Sequence, residues 1–345
     1  MLPRIALTLG DVAGIGPEVI VRAWCEAPLL SWCRPVVVGH PEVLRRAASQ
    51  IAGGLEVRPL ARIGDGDPER RIIPCWNPAG DDAAAVPLGS NDARAGRAAY
   101  DYLVAAANAA LEGRVDAITT APLSKAALHM AGLNYPGHTE ILAELCGVRE
   151  FAMMLYLCGI KRQDGGAHAL GVVHATLHTS VRSVPDLLTE NLIVQKIRLI
   201  DKFLKTIGCP VPRIAVCALN PHAGEEGLFG EEETTTIAPA VRNAAAGGIG
   251  VTGPLPADTL LRRALGGEFD GVVAMYHDQG HIALKLAGSE RAVNVTLGLP
   301  IVRTSPSHGT AFDIAGKGIA RAEGMIEAIR VAAILADNKM DGGNK

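Results

Sequence analysis

The chain has 345 residues, 33 Lys+Arg against 36 Asp+Glu, and 48% hydrophobic residues, which at about 150 residues per domain implies roughly two domains with ample core. A net charge of −3 excludes the concentrated positive charge that non-specific nucleic-acid binding needs. No apolar run reaches the ~18 residues of a membrane helix and Met1–Leu9 lacks a signal-peptide core, so the expectation is a cytoplasmic protein with neither nucleic-acid nor membrane partners.

Short β-branched or apolar runs alternate with Ala-rich helical stretches, the pattern of an α/β protein whose sheet is covered on both faces. In chain order the sequence predicts strand Ile5–Leu9, helix Pro17–Ala27, strand Val36–Gly39, an irregular connection Ile63–Leu88, helix Ala95–Leu111 and strand Ala117–Thr120. It continues with strands Phe151–Leu157 and Leu170–Thr176, helix Pro185–Ile207, strand Ile214–Ala218, and helices Glu231–Ala246 and Asp258–Leu265. Strands Gly271–Met275, Val293–Thr296 and Ile301–Arg303, helix Ala322–Leu335 and a frayed tail Met340–Lys345 complete it. Helix Pro185–Ile207 is the best defined, because Leu188, Leu192, Ile193, Ile197, Ile200 and Leu204 follow a period near 3.6. Its seven cysteines show no C-x-x-C spacing and read as reduced packing residues.

Gly248–Gly253 matches G-x-G-x-x-G, yet it follows a helix and runs into Pro254-Leu255-Pro256, so it is not a dinucleotide fingerprint. Gly10–Glu18 is more informative: it joins the first strand to a helix with Pro17 in its first turn, where backbone approaches closely and the helix start favours an anion. Four of the ten histidines, His138, His178, His222 and His277, lie in polar, Gly- or Pro-punctuated segments after strands. Three neutral imidazoles hold a divalent cation while leaving positions open for substrate. Lys285, Asn294 and Arg303 recur at nine-residue intervals, with Lys125 and Arg182 as further cations, and suggest an anion pocket. Thr304–Lys317 is rich in small residues and hydroxyls suited to wrapping a cofactor, with Asp313 available to an adenine amine or ribose hydroxyl.

The segments Gly10–Glu18, Thr120–Lys125, Pro136–Glu140, Asn220–Gly224, Gly253–Thr259, Tyr276–Gly280 and Thr304–Gly316 together resemble the 4-hydroxythreonine-4-phosphate dehydrogenase family of vitamin B6 biosynthesis. His308–Gly316 also resembles the adenosine-binding loop of isocitrate and isopropylmalate dehydrogenases. The resemblance implies a two-lobed α/β/α fold of that type, with a cleft between lobe 1–125 plus 285–345 and lobe 126–284. It implies metal ligation by His178, His222 and His277, and substrate contacts from His138, Thr139, Lys285, Asn294 and Arg303. The cofactor, NAD or NADP, would lie on His308, Gly309, Ala311 and Asp313, and the metal would be Zn, Mg, Mn or Co. Asp258 and Lys125 are the candidates for the base. A homodimer sharing its active sites is implied as well.

The expected reaction is oxidative decarboxylation of a small anionic substrate to 3-amino-2-oxopropyl phosphate. Alternatives are oxidation of a 4-phosphorylated threonate or erythronate, oxidation of a terephthalate-type cis-dihydrodiol dicarboxylate, a phosphate acyltransferase, or a non-catalytic phospholigand sensor. Val12 stands where the family usually has Pro, and His281 and Ala283 where relatives are more apolar or carry Pro. These departures bear on substrate identity more than on reaction type.

Overall fold

The computed structural model describes residues 1–161 and 165–342. The chain forms two compact units, residues 1–149 with 299–345 and residues 150–298. In the first lie strands β1 (Arg4–Thr8), β2 (Arg34–Val38), β3 (Glu56–Leu60), β4 (Ile72–Trp76) and β5 (Ala117–Thr120). The second holds β6 (Ala152–Lys161), β7 (Ala167–His174), β8 (Ile214–Cys217), β9 (Val251–Leu255), β10 (Gly271–Ala274) and β11 (Val293–Leu297). Strand β12 (Val302–Pro306) returns to the first unit.

Unit one runs β3-β4-β2-β1-β5-β12, with parallel pairing between its neighbouring strands. Parallel strands are buried on both faces, which is why β1 reads as a nearly unbroken apolar run with four of its five residues buried. Helices Gly16–Glu26, Ala93–Leu111 and Glu323–Gly342 pack on the sheet, and Ile5, Leu7, Val37, Tyr102, Leu103, Ile118, Met325 and Ile329 form the core. Truncating one such Leu or Ile to Ala costs about 2–5 kcal/mol. All six strands end on one edge, so the segments following β1, β5 and β12 come together: the Asp11 N–H donates to the Pro122 carbonyl at 2.9 Å and the Ile15 N–H to Thr310 at 3.0 Å.

Unit two runs β11-β6-β7-β10-β8-β9, antiparallel across β11, β6 and β7 and parallel from β7 to β9. Helix Glu190–Thr206 buries Ile193, Ile197, Ile200 and Leu204, as its periodicity predicts. The expected helix from Pro185 is broken at Leu188–Thr189, because the Thr189 hydroxyl accepts from the Leu192 N–H and starts a new helix. The expected helix Glu231–Ala246 likewise divides into a π-turn Glu233–Ile237 and an α-helix Ala238–Ala246, since Pro239 has no N–H for the regular ladder.

Other expectations are corrected. The irregular stretch Ile63–Leu88 contains β4, whose Pro74 disguises it. Strands β3 and β9 contain Pro59 and Pro254 and escaped notice for the same reason. Met340–Gly342 close the last helix instead of fraying, and 343–345 lie outside the described residues. The unit boundaries fall at 149/150 and 298/299, not at 125/126 and 284/285. Helices Lys125–Met130 and His138–Leu145 pack on Ala93–Leu111 and so stay with unit one, while β11 pairs with β6 and stays with unit two. Among the described residues no helix is long and apolar enough to cross a membrane.

Candidate active site

In unit two the parallel order β7-β10-β8-β9 releases four segments from adjacent strand ends. They carry His178, His277, His222 and Asp258 respectively. Main-chain links tie these segments together. The Thr176 N–H and hydroxyl both donate to the Met275 carbonyl, at 3.1 and 2.8 Å. Gln279 accepts from the Met275 N–H at 2.7 Å and donates to the Ala218 carbonyl at 2.8 Å, bridging the ends of β10 and β8.

His277 opens helix His277–Gly288 and lies 5.9 Å, ring centre to ring centre, from His178. Its Nδ1 meets Asp278 at 2.6 Å, which leaves Nε2 as the nitrogen a ligand could use. Behind it, His281 stacks on His277 at 3.7 Å with 10° between the rings. The His277 carbonyl can only accept, so His281 Nδ1 carries the proton it shares with that oxygen and with His174 Nε2, at 3.2 and 3.1 Å. Burial, joined by the neighbouring imidazoles, pushes His174 down to about 3 and His281 to about 4, so both are neutral. A cavity of about 360 Å³ opens beside them, lined by His178, Thr179, Val184, Tyr276, His277 and Asp278.

His222 sits in a 3-10 turn, Pro221–Gly227, whose residues 222–226 all have positive φ. Four of these are not glycine, and each costs about 1–2 kcal/mol in that conformation. Such strain persists only where the surroundings impose it. At the base of the turn buried Glu233 accepts from the Leu219 and Asn220 N–H groups at 2.8 and 2.7 Å and from the Asn220 side chain at 3.0 Å.

The donor chemistry fits a divalent cation: imidazoles on neighbouring strand ends, one oriented by a carboxylate. A single chain nevertheless brings together only part of the set. Among the described residues no group of three His, Cys, Asp or Glu is close enough to hold a metal ion.

Unit one holds the candidates for anion binding. Arg303, the second residue of β12, is 2% exposed and donates through Nη2 to the Thr120 hydroxyl at 2.8 Å. Burial lowers it to about 10, against the pull of Glu140, so it remains a cation at neutral pH. His138 and Thr139 form the first turn of helix His138–Leu145, whose cap Gly137 offers no side chain, so the first N–H groups are free of a side-chain cap. Burial first, and the Arg303 guanidinium second, hold the His138 imidazole well below its ordinary range. A buried guanidinium, a neutral imidazole and an uncapped helix start are groups whose chemistry suits an anion such as phosphate.

The cofactor candidates also lie here. Asp313 and Gly309 are exposed, Ala311 has φ +44°, and His308 Nε2 is a buried nitrogen lacking a hydrogen-bond partner, which suits a ligand's polar group. A Cβ on Gly14 would lie 2.8 Å from the Thr310 carbonyl, so the glycine is what lets the two loops meet. Glu18 is occupied in structure: its carboxylate accepts from the Gly316 and Gly318 N–H groups and fixes the far end of the loop.

The remaining candidates are dispersed. Lys285 is an exposed helix residue in unit two, so its nine-residue spacing from Asn294 and Arg303 reflects no shared strand. Asn294 lies in β11 with a buried Oδ1 lacking a partner. Lys125 and Asp258 are exposed in the first turns of their helices, and Arg182 is exposed in a 3-10 turn. Asp278, Gln279 and Thr120 lie within motif segments of the sequence that give no sign of their roles, and nothing in the sequence points to Glu233.

Residues 31–332 match the family described as "Pyridoxal phosphate biosynthetic protein PdxA". The chain belongs to this family. It is 45% identical over 338 residues to a D-threonate 4-phosphate dehydrogenase of Salmonella typhimurium, covering 96% of this chain and 98% of that one. To a 4-hydroxythreonine-4-phosphate dehydrogenase of Geobacter metallireducens it is 43% identical, with 99% and 98% covered. A solved 4-hydroxythreonine-4-phosphate dehydrogenase from Klebsiella pneumoniae superposes with TM-score 0.84 at 44% identity, over 97% of this chain and 99% of that one. This PdxA-family chain is therefore a dehydrogenase.

Proposed function

We propose that the chain oxidises the C3 hydroxyl of 4-(phosphooxy)threonine and releases CO2, giving 3-amino-2-oxopropyl phosphate, as a cytoplasmic homodimer whose subunits share each site. The observation that carries this reading is buried Arg303 beside Thr120, near the uncapped start of helix His138–Leu145. It supports capture of a phosphate remote from the reacting carbon, with His138 and Thr139 at the helix start and Lys285 as a further cation. Asn294, with its unmet Oδ1, would accept from a substrate amine or hydroxyl. Holding the substrate at both ends fixes the carbinol hydrogen for transfer.

Loss of a hydride and a proton from C3 makes a 3-oxo acid. The C1–C2 bond then breaks to CO2, and its electron pair stays at C2 until a proton arrives. Bound NAD or NADP would take the hydride, while a divalent cation (Zn, Mg, Mn or Co) on His178, His222 and His277 would acidify the hydroxyl. His308, Gly309, Ala311 and Asp313 would hold the adenosine end. Asp258 and Lys125 are the available bases. The incomplete ligand set of a single chain supports completion by a second subunit. So does the exposed apolar surface on the same elements, with Ile282 58%, Leu286 84% and Leu228 73% exposed.

A second reading, oxidation of D-threonate 4-phosphate, is favoured by the relative of that name at 45% identity. It keeps the phosphate and replaces the 2-amine by a hydroxyl. The test is formation of reduced nicotinamide from each phosphorylated substrate, and from a cis-dihydrodiol dicarboxylate, with NAD and NADP, before and after chelation and metal return. Arg303→Ala should raise KM at least about tenfold while changing kcat less. An unchanged KM would remove the phosphate reading.

A further inference from the structure

Glu233 is almost fully buried, yet it joins no ion pair among the described contacts and touches no candidate substrate group. Among the described residues its hydrogen-bond partners are Leu219 and Asn220, the two residues preceding Pro221. Beyond them the left-handed run 222–226 buries only Gly224, and Leu228 and Phe229 are exposed, so packing does not hold the run in place. The bonds of the 3-10 turn itself, with Leu228 N–H to Glu225 and Phe229 N–H to Gly224 both at 3.1 Å, join residues of the loop to one another, so they fix its curl and leave its orientation to be set from outside it. Control therefore lies at the base of the loop. There Glu233 opens a π-turn, and the Thr234 and Thr235 hydroxyls donate to the Glu231 carbonyl at 3.0 and 2.7 Å. The extra residue of a π-turn shifts side chains out of α-helical register, a device frequent at functional sites. Asn220 is held by both acids of the turn, through Glu232 at 2.7 Å and Glu233 at 3.0 Å.

We propose that Glu233 is a positioning residue of the reaction centre, clamping the Leu219–Asn220 base so that the strained loop presents His222 in one orientation. The proposal rests on the reading of His222 as a site residue. The clamp depends on an acceptor-only group, because three N–H donors converge on the two oxygens. An amide in its place turns one acceptor into a donor and sets it against the Asn220 side-chain N–H.

The experiment uses the full-length enzyme with Glu233→Gln, Glu233→Gln combined with Asn220→Asp and Glu232→Gln, and His222→Ala. Glu233→Gln should lower amide hydrogen-exchange protection at Leu219 and Asn220 by about tenfold. It should lower kcat by about 10–100-fold, the range for losing a residue that orients a ligand side chain, with substrate KM nearly unchanged. Adding Asn220→Asp together with Glu232→Gln reverses donor and acceptor at both contacts of residue 220 and should restore most of both. Unaltered kcat and protection in Glu233→Gln, alongside lost activity in His222→Ala, overturns the clamp while leaving His222 in the site. A loss that Asn220→Asp with Glu232→Gln does not relieve, or a rise in KM matching the fall in kcat, overturns it also. Full activity in His222→Ala instead overturns the site reading, and the positioning role with it.

Discussion

Asp11 illustrates how one residue in a recognisable motif carries an energetic cost. It is fully buried; Oδ1 accepts from the Ala13 N–H at 2.9 Å, and Oδ2 lacks a partner. Desolvation, with a smaller contribution from Asp92, lifts its carboxyl from 3.8 to about 6. The folded state thus binds the proton more tightly than the unfolded chain, so this residue's contribution to stability is fully present below pH 3.8 and lost as pH rises through about 6. A shift of that size is worth on the order of 2–3 kcal/mol. Asp11→Asn keeps the Ala13 hydrogen bond and removes the charge. It should raise Tm at pH 8, with the gain fading as pH falls toward 4, and thermal melts across that range measure it. A Tm at pH 8 equal to or below the natural protein's contradicts the account. The motif was legible because glycines and an acid between a strand and a Pro-initiated helix are rare. That Asp11 would be desolvated was not, since burial is a property of the Pro122 and Thr310 segments that close over its loop.

Elements were legible where one periodicity dominates. Arg4–Thr8 and Ala117–Thr120 are uninterrupted buried runs, and Glu190–Thr206 keeps its apolar face through four turns. Helix His277–Gly288 was invisible because His277, Asp278, Gln279 and Gly280 read as a loop. Tertiary contact explains Gly280: a Cβ there would lie 2.6 Å from His174 Nε2, 2.7 Å from Val172 Cγ1 and 3.2 Å from the Ala274 Cβ. The glycine is a packing requirement of the helix against β7 and β10, outweighing its propensity cost. Gly280→Ala, which favours an isolated helix, should therefore destabilise the protein by about 1–3 kcal/mol through overpacking. Denaturant midpoints decide this, and a more stable variant would show that propensity, not the contact with His174, governs the position. Pro59, Pro74 and Pro254 hid three strands in the converse way, since a missing N–H is tolerated where one ladder bond is dispensable.

At the scale of the whole molecule, sequence alternation was enough for an α/β architecture and for two units, but not for their borders. The crossing points are decided by pairings remote in sequence, β11 with β6 and helix His138–Leu145 with Ala93–Leu111. The same non-locality governs the candidate metal centre. His178 and His277 approach within one chain, whereas His222 joins no ligand group there. A site drawing His222 and His277 from different subunits makes a strong prediction about mixtures. His222→Ala and His277→Ala homodimers should each be inactive. In a hybrid dimer one site inherits both substitutions and the other inherits neither, so unfolding and refolding an equal mixture should regenerate about a quarter of natural activity: half the dimers are hybrid, and each has one intact site of two. Turnover measured before and after mixing reads the outcome directly. No recovery, with hybrid dimers verified by mass, would place His222 and His277 of a site on one chain and require the His222 loop to leave its left-handed form to reach His277.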